Sequence, residues 1–257
     1  MKSIHEIFRQ YFSERRDQQF DGYRREDLQH LIRHRALEPD SDGFVLFADL
    51  PAGQEARWIT EQIEFFSGIN QKFEWKVYDL DRPSNLRQLL EERRFIAEEP
   101  EAFMVFPLTE EPPSLSIRHD NVRVEKIGLD RLKDIISVQE QLFRTNFAGH
   151  FRSAATTLAT RPEELSFYCA YLDDRPVGTG WSKYYPGSTF VDLHGGGVIQ
   201  ELRGKGIYSR LFHARLLEAR ERGFHYLAVD AAPMSRPILE RKGFIPICTT
   251  YPMRVKT

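Results

Sequence analysis

The stretch Val198-Ile-Gln-Glu-Leu-Arg-Gly-Lys-Gly-Ile-Tyr208 joins a predicted strand to a predicted helix. The first turn of a helix has backbone N–H groups without intrahelical partners, and the helix dipole places partial positive charge there. Gly204 and Gly206 carry no Cβ atoms that would hold an anion away from these groups, while Arg203 and Lys205 add positive charge. The stretch therefore predicts a phosphate-binding turn at the head of a helix. Its spacing alone also fits a tight turn that binds no ligand.

Two common phosphate-binding motifs fit this stretch poorly. A Walker P-loop requires glycine where Ile199 stands, and serine or threonine where Gly206 stands. A dinucleotide fingerprint can be read from Gly204 and Gly206 with Asp230 as the ribose-binding acid, but Ser209 replaces its third glycine. Too little chain follows to complete a doubly wound domain. Both motifs are therefore disfavoured.

The composition is that of an ordinary globular protein. The 257 residues are 41% hydrophobic and 29% charged, and the formal net charge is −2 with the two signs interspersed. No basic block suggests nucleic-acid binding. No apolar run approaches the ~20 residues of a membrane span, and the first residues lack the apolar core of a signal peptide. We therefore expect a cytoplasmic protein without nucleic-acid or membrane partners.

The pattern of apolar residues predicts alternating strands and helices in two domains. Glu110-Glu-Pro-Pro-Ser114 is the predicted linker, because adjacent prolines fit neither a helix nor a central strand. It separates a domain at 1–115 from one at 120–257. Within the first domain, residues 26–35 are predicted to form a helix.

One arrangement of elements occurs twice along the chain. Val77-Tyr-Asp-Leu-Asp81 is followed by a predicted helix and strand, and Val229-Asp-Ala-Ala232 is followed by the same elements. The first domain is therefore either a diverged copy of the second or an unrelated α/β domain with a common layout.

Three consecutive glycines, Gly195, Gly196 and Gly197, interrupt the strand predicted at 189–198. Glycine weakens a strand interior, so the run predicts a β-bulge or the close approach of another backbone or a ligand. Asp192 and His194 precede it at a spacing of two and share one face of the strand. Histidine titrates near neutral pH, which suits a general base. Both residues are catalytic candidates, and a structural role as hydrogen-bonded strand residues is the alternative.

Arg203-Gly-Lys-Gly-Ile-Tyr208 resembles the Q/R-x-x-G-x-G/A signature of the GNAT superfamily of N-acetyltransferases. Met234-Ser-Arg-Pro-Ile-Leu-Glu-Arg-Lys-Gly-Phe244 is similar to the final helix and Gly-Phe ending of that family. The order of predicted elements after Val122 also matches the family. The resemblance implies an α/β (α+β) fold with a mixed central sheet flanked by helices, in tandem with a degenerate N-terminal half.

The resemblance also implies a site for acetyl-CoA as cosubstrate, without a metal. Backbone groups of Val198 and Ile199 would meet the pantetheine arm and the thioester at a splayed strand. Met234 and Ser235 would lie beside the coenzyme. The residues implied to hold the pyrophosphate are Arg203, Gly204, Lys205, Gly206, Ile207 and Tyr208. The acetyl group would pass directly to an amine of a small molecule, peptide or protein, and the enzyme would be a monomer or homodimer.

Three departures from the family pattern affect these expectations. Tyr208 occupies the last glycine or alanine position of the signature. Leu239 occupies the position of the tyrosine that commonly acts as general acid, and leucine cannot protonate a thiolate. A catalytically silent coenzyme-binding sensor or partner-binding module is therefore the alternative to an enzyme. In the first half, the corresponding turn Leu50-Pro-Ala-Gly-Gln-Glu55 has one glycine and an acid, so we expect it to bind no coenzyme.

Overall fold

The computed structural model describes residues 2–38, 41–111, 121–144 and 151–255. The predicted linker prolines, at 112 and 113, lie outside the described residues. The helices are α1 (Ile4–Arg16), α2 (Glu55–Gly68), α3 (Leu86–Glu91), α4 (Leu132–Phe143), α5 (Phe151–Thr160), α6 (Ile207–Glu221) and α7 (Arg236–Glu240). The strands are β1 (Tyr23–Asp27), β2 (Ile32–Ala36), β3 (Gly43–Leu46), β4 (Phe73–Tyr78), β5 (Phe95–Ala97), β6 (Glu101–Pro107), β7 (Val122–Ile127), β8 (Leu165–Leu172), β9 (Arg175–Tyr184), β10 (Phe190–Val198), β11 (Tyr226–Ala231) and β12 (Ile245–Val255).

The chain divides into two compact units whose bounds differ from the predicted domains at 1–115 and 120–257. The first unit contains Met1–Met104, Asp230–Glu240 and Ile245–Thr257, and the second contains Val105–Val229 and Arg241–Phe244. The C-terminal segment belongs to the first unit because β12 pairs antiparallel with β4, Tyr251 opposite Val77. The domain boundary was predicted from the composition of the linker. Composition cannot reveal the pairing of β12 with β4, because these strands are far apart in sequence.

In the first unit, β1, β2 and β3 pair antiparallel, and β3 pairs parallel with β4 across the connecting helix α2. Val45, Ile59 and Trp75 are fully buried between these elements. The prediction of a helix at residues 26–35 is wrong, because these residues form parts of β1 and β2. Residues of β2 alternate between buried and half-buried, which is the period of a strand in a sheet.

In the second unit, neighbouring strands pair in the order β11, β10, β9, β8, β7. β10 and β11 are parallel and are joined by α6, and the remaining neighbours are antiparallel. The Arg215 side chain of α6 lies against Gly180 of β9, whereas the next residue, Trp181, packs on Phe151 of α5. Since successive strand residues point to opposite faces, α6 and α5 cover opposite faces of this sheet.

Helices flank a mixed sheet in this structure, as the sequence predicted. Both units also contain a strand, a helix and a parallel strand in succession, β3–α2–β4 and β10–α6–β11. None of the helices in the described part of the chain has the length and apolar character that a membrane span requires.

Candidate functional site

The predicted phosphate turn follows β10 and precedes α6. After Val198 the chain makes one 3-10 turn at Gln200–Leu202, and α6 begins at Ile207. Gly204 has φ of +74° and Gly206, the N-cap of α6, has φ of +84°. Residues with a side chain rarely adopt such angles, so this course of the chain requires both glycines.

The backbone N–H groups of this turn are available to a ligand. The backbone N–H groups of residues 204–209 donate no hydrogen bond to any acceptor in the described part of the chain. The first helical bond of α6 runs from the Arg210 N–H to the Gly206 carbonyl, at 3.2 Å. Any helix leaves its first N–H groups unpaired. The glycine turn adds three more ahead of them, which is the donor arrangement that an anion satisfies.

Two basic residues of the turn differ in their contacts. The Arg203 Nε donates to the Val198 carbonyl at 3.1 Å, so this side chain braces the end of β10. Lys205 is half-buried and, among the described residues, makes no ion pair. Lys205 therefore keeps its charge for a ligand, and the remaining guanidinium nitrogens of Arg203 lie beside the same turn.

Lys242 is a third cation at this turn, which sequence reasoning did not identify. Its Nζ donates to the Ser209 Oγ at 2.6 Å and lies 5.8 Å from the ring centroids of Tyr208 and Phe212. Desolvation, and then the nearby charge of Arg241, lower the pKa of Lys242. No described carboxylate lies within 4.0 Å of it. A cation without a counter-ion at the positive end of a helix is unfavourable, so a bound anion would stabilise this arrangement.

We predict that Lys242→Met weakens coenzyme binding about tenfold, because hydrogen bonds to charged groups contribute about 1.5–3 kcal/mol. The variant should keep or increase its thermal stability, since it removes a desolvated, uncompensated charge. Calorimetry with acetyl-CoA measures the affinity. Arg241→Met is the matched control, because Arg241 is the exposed neighbouring cation. An equal loss of affinity in both variants would show that only net charge matters.

β10 pairs with β11 only over its first three residues and then diverges from it, as the resemblance implied. The paired residues are Phe190 with Tyr226, Val191 with Leu227 and Asp192 with Ala228. Beyond Asp192, β10 continues to Val198 with described ladder partners only on β9. The edge of β10 at residues 193–198 is therefore open on the β11 side within the second unit.

The backbone of Ile199 serves the fold. Its N–H donates to the Val177 carbonyl at 3.0 Å, and its carbonyl accepts from the Leu202 N–H. The Val198 carbonyl already accepts from Arg203. The Ile199 N–H is therefore not free to bind the pantetheine arm.

The predicted β-bulge is present in β10. The pairing of β10 with β9 shifts register between His194 and Gly197. The Gly195 carbonyl accepts from the Gln139 Nε2 at 2.9 Å and the Thr179 Oγ1 at 3.0 Å, which hold the bulge from α4 and β9. The glycine run therefore marks a real irregularity, as expected.

Each of the three glycines gives room to a different side chain. A Cβ at Gly195 would lie 1.7 Å from Trp181, one at Gly196 3.0 Å from Tyr208, and one at Gly197 2.5 Å from Leu142. The space at these glycines is occupied by the protein's own side chains, which the sequence did not predict.

The catalytic candidates Asp192 and His194 lie on the same face of β10, opposite Lys183 and Trp181 of β9. His194 is exposed, and its ring stacks on Trp181 with a centroid distance of 6.3 Å and an interplanar angle of 21°. Asp192 is buried, with 9% of its surface exposed. Of the two, His194 is the group that can exchange a proton with solvent or substrate.

Met234 and Ser235 belong to the first unit, whereas the turn belongs to the second. Met234 is 72% exposed. The Ser235 carbonyl accepts from the amides of Ile238 and Leu239, so Ser235 stands at the head of α7. Leu239 itself is 2% exposed. In the second unit, the structure brings together the turn, the three glycines, Asp192 and His194.

The corresponding turn of the first unit, residues 50–55, offers a poorer anion site. The Leu50 N–H donates to the Arg82 carbonyl and the Gln54 N–H to the Pro51 carbonyl. Glu55 is the first residue of α2, so a carboxylate stands where an anion would bind. The described residues contain no cluster of three or more His, Cys, Asp or Glu side chains that could hold a metal.

The sequence was compared with models of protein families and with curated proteins. The model of the acetyltransferase (GNAT) family matches residues 132–244. No curated protein is significantly similar in sequence.

Solved structures share the fold across nearly the whole chain. A GCN5-related N-acetyltransferase from Kribbella flavida has a TM-score of 0.70 at 14% identity, covering 100% of this chain and 97% of that one. One from Sphaerobacter thermophilus has a TM-score of 0.64 at 17% identity, covering 89% and 81%. A tandem GNAT protein from the clavulanic acid biosynthesis pathway has a TM-score of 0.61 at 12% identity, covering 87% and 77%. The predicted GNAT-like fold is confirmed.

Proposed function

Because residues 132–244 carry an acetyltransferase domain of the GNAT family, we propose that this protein transfers an acetyl group from acetyl-CoA directly to an amine. The observation that carries the proposal is the run of unpaired N–H groups at residues 204–209, with Lys205 and Lys242 beside it. These donors and charges suit a diphosphate. The acceptor is an amine of a small molecule, peptide or protein, and the reaction takes place in the cytoplasm.

In this proposal, the pyrophosphate binds the amides of Gly204, Lys205, Gly206, Ile207 and Tyr208, with Arg203 at the rim. The pantetheine arm runs along the open edge of β10 next to Val198, where β11 has diverged.

His194 is the proposed general base. Its exposed imidazole lies on the face of β10 opposite α6, close to the bulge, and a neutral imidazole can accept a proton from the attacking ammonium group. Asp192, two residues earlier and buried on the same face, is the second candidate. Direct attack of the neutral amine on the thioester carbonyl requires no covalent enzyme intermediate.

A coenzyme-binding module without activity is the alternative. It is favoured by Leu239, which is buried, apolar and unable to donate a proton to the leaving thiolate.

Two measurements test the proposed function. Calorimetry with acetyl-CoA should detect binding, and thiol release with a panel of amines should detect turnover. Binding without turnover by any amine supports the silent module, and absence of binding contradicts both hypotheses.

The base assignment predicts that His194→Ala lowers kcat about 10²–10⁴-fold, the usual contribution of a general base. A histidine base works only in its neutral form, so wild-type turnover should rise as the pH is raised from acid values. His194→Ala should lose that rise. His225→Ala, which removes another exposed histidine of the second unit, should keep it. An unchanged pH profile in His194→Ala would refute the assignment.

A further inference from the structure

The Tyr208 side chain lies over the bulge of β10. Tyr208 is the second residue of α6, and its Cε2 and Oη are 3.0 and 3.4 Å from the point where a Cβ of residue 196 would be. Because Gly196 has no side chain, the phenol rests directly on the backbone of β10. Within the described residues, the Tyr208 Oη has no hydrogen-bond partner.

A buried guanidinium reaches the same place. Arg215, two turns further along α6, is 1% exposed, and its Nε donates to the Leu211 carbonyl at 3.1 Å. Its Nη2 has no hydrogen-bond partner among the described residues and lies 3.6 Å from the same Cβ position at Gly196. The Arg215 Cζ is 5.9 Å from the Tyr208 ring centroid.

Arg215 also lacks a counter-ion. No carboxylate in the described part of the chain lies within 4.0 Å of its guanidinium. Gly180 provides the necessary space, since a Cβ there would be 2.9 Å from the Arg215 Cζ. Burying an unpaired charge and an unsatisfied N–H is costly, and such groups persist mainly where they serve a function. A phenol and a guanidinium, both with unused donors, thus converge on Gly196 beside the open edge of β10.

We propose that Tyr208 is the general acid of the reaction and that Arg215 is its positioning residue; this rests on the proposed acetyl transfer. The amine nitrogen attacks the thioester carbonyl carbon, and the excess amine proton passes to the base. The C–S bond then breaks and its electron pair goes to sulfur. The Tyr208 hydroxyl proton goes to that sulfur, giving the free thiol of coenzyme A, and the phenolate regains a proton from solvent. The Arg215 guanidinium, whose Cζ is 5.9 Å from the ring centroid, holds the phenol in place. Tyr208 thereby supplies the proton that Leu239 cannot.

The test is Tyr208→Phe, which keeps the ring over Gly196 and removes only the hydroxyl. We expect kcat to fall about 10²-fold, within the range of general acid catalysis, while the Kd for acetyl-CoA stays within about twofold. Arg215→Met should also lower kcat at an unchanged Kd for acetyl-CoA, and Arg215→Lys, which keeps the positive charge, should recover part of the loss.

Tyr168→Phe is the matched control. It removes another phenol under α6, whose hydroxyl donates to Glu218 at 2.7 Å. It should lower the thermal stability and leave kcat unchanged. If wild-type protein turns over acetyl-CoA and Tyr208→Phe keeps its kcat, the role of Tyr208 is overturned alone. If wild-type protein shows no turnover with any amine, the acetyl transfer fails and the assignment fails with it.

Discussion

Gly195→Ala should lower the free energy of unfolding by about 3 kcal/mol or more, because overpacking and a strained backbone each cost about 1–3 kcal/mol. The new Cβ would lie 1.7 Å from the Trp181 Cζ3, and the residue has φ of +55°. The indole cannot easily withdraw, since it packs between Phe151 and Phe167 at centroid distances of 5.5 and 5.3 Å. Chemical denaturation measures the loss.

Alanine substitutions at two other glycines distinguish the cost of backbone strain from the cost of the steric clash. Gly187 has φ of +74° with no atom within 4 Å of its Cβ position, so Gly187→Ala should show the backbone cost alone. At Gly197, the added methyl would meet only the Cδ1 of Leu142, the mobile end of a side chain, at 2.5 Å. Gly195→Ala should be the most destabilising of the three. A loss no larger than that of Gly187→Ala would contradict the packing of Trp181 described above.

Gly204→Ala is expected to weaken acetyl-CoA binding at least about tenfold, which corresponds to about 1.4 kcal/mol. Gly204 has φ of +74°, and no atom lies within 4 Å of its Cβ position. The added methyl therefore enters the space in front of the turn, where the diphosphate is proposed to approach the amides. Strain at the same residue also turns these amides away from a common point. Calorimetry gives the affinity.

Gly187→Ala is a matched control for this prediction as well, because Gly187 has the same φ, is exposed, and lies in the turn between β9 and β10. Both variants should lose similar stability, and only Gly204→Ala should lose affinity. Equal affinities in the two variants would exclude the turn as the coenzyme site and remove the main support for acetyl transfer.

The phosphate turn could be predicted from sequence because its determinants are local. Gly204 and Gly206 adopt positive φ, and the unpaired amides follow from the start of α6, as the order of residues indicated. The bulge at Gly195 could be predicted for the same reason. The hairpin of β1 and β2 could not, because the burial of Ile32 and His34 depends on the neighbouring strands rather than on their spacing.

The amino-acid sequence by itself determined the strand–turn–helix unit, its two glycines and the α/β class, since backbone conformation and short-range charge act between neighbours in the chain. Only the tertiary structure decided that β12 joins the first unit, that Lys242 lies at the head of α6, and that Arg215 is buried with no described carboxylate as its counter-ion. These contacts connect residues far apart in sequence. They depend on how side chains pack, which no local pattern of residues records.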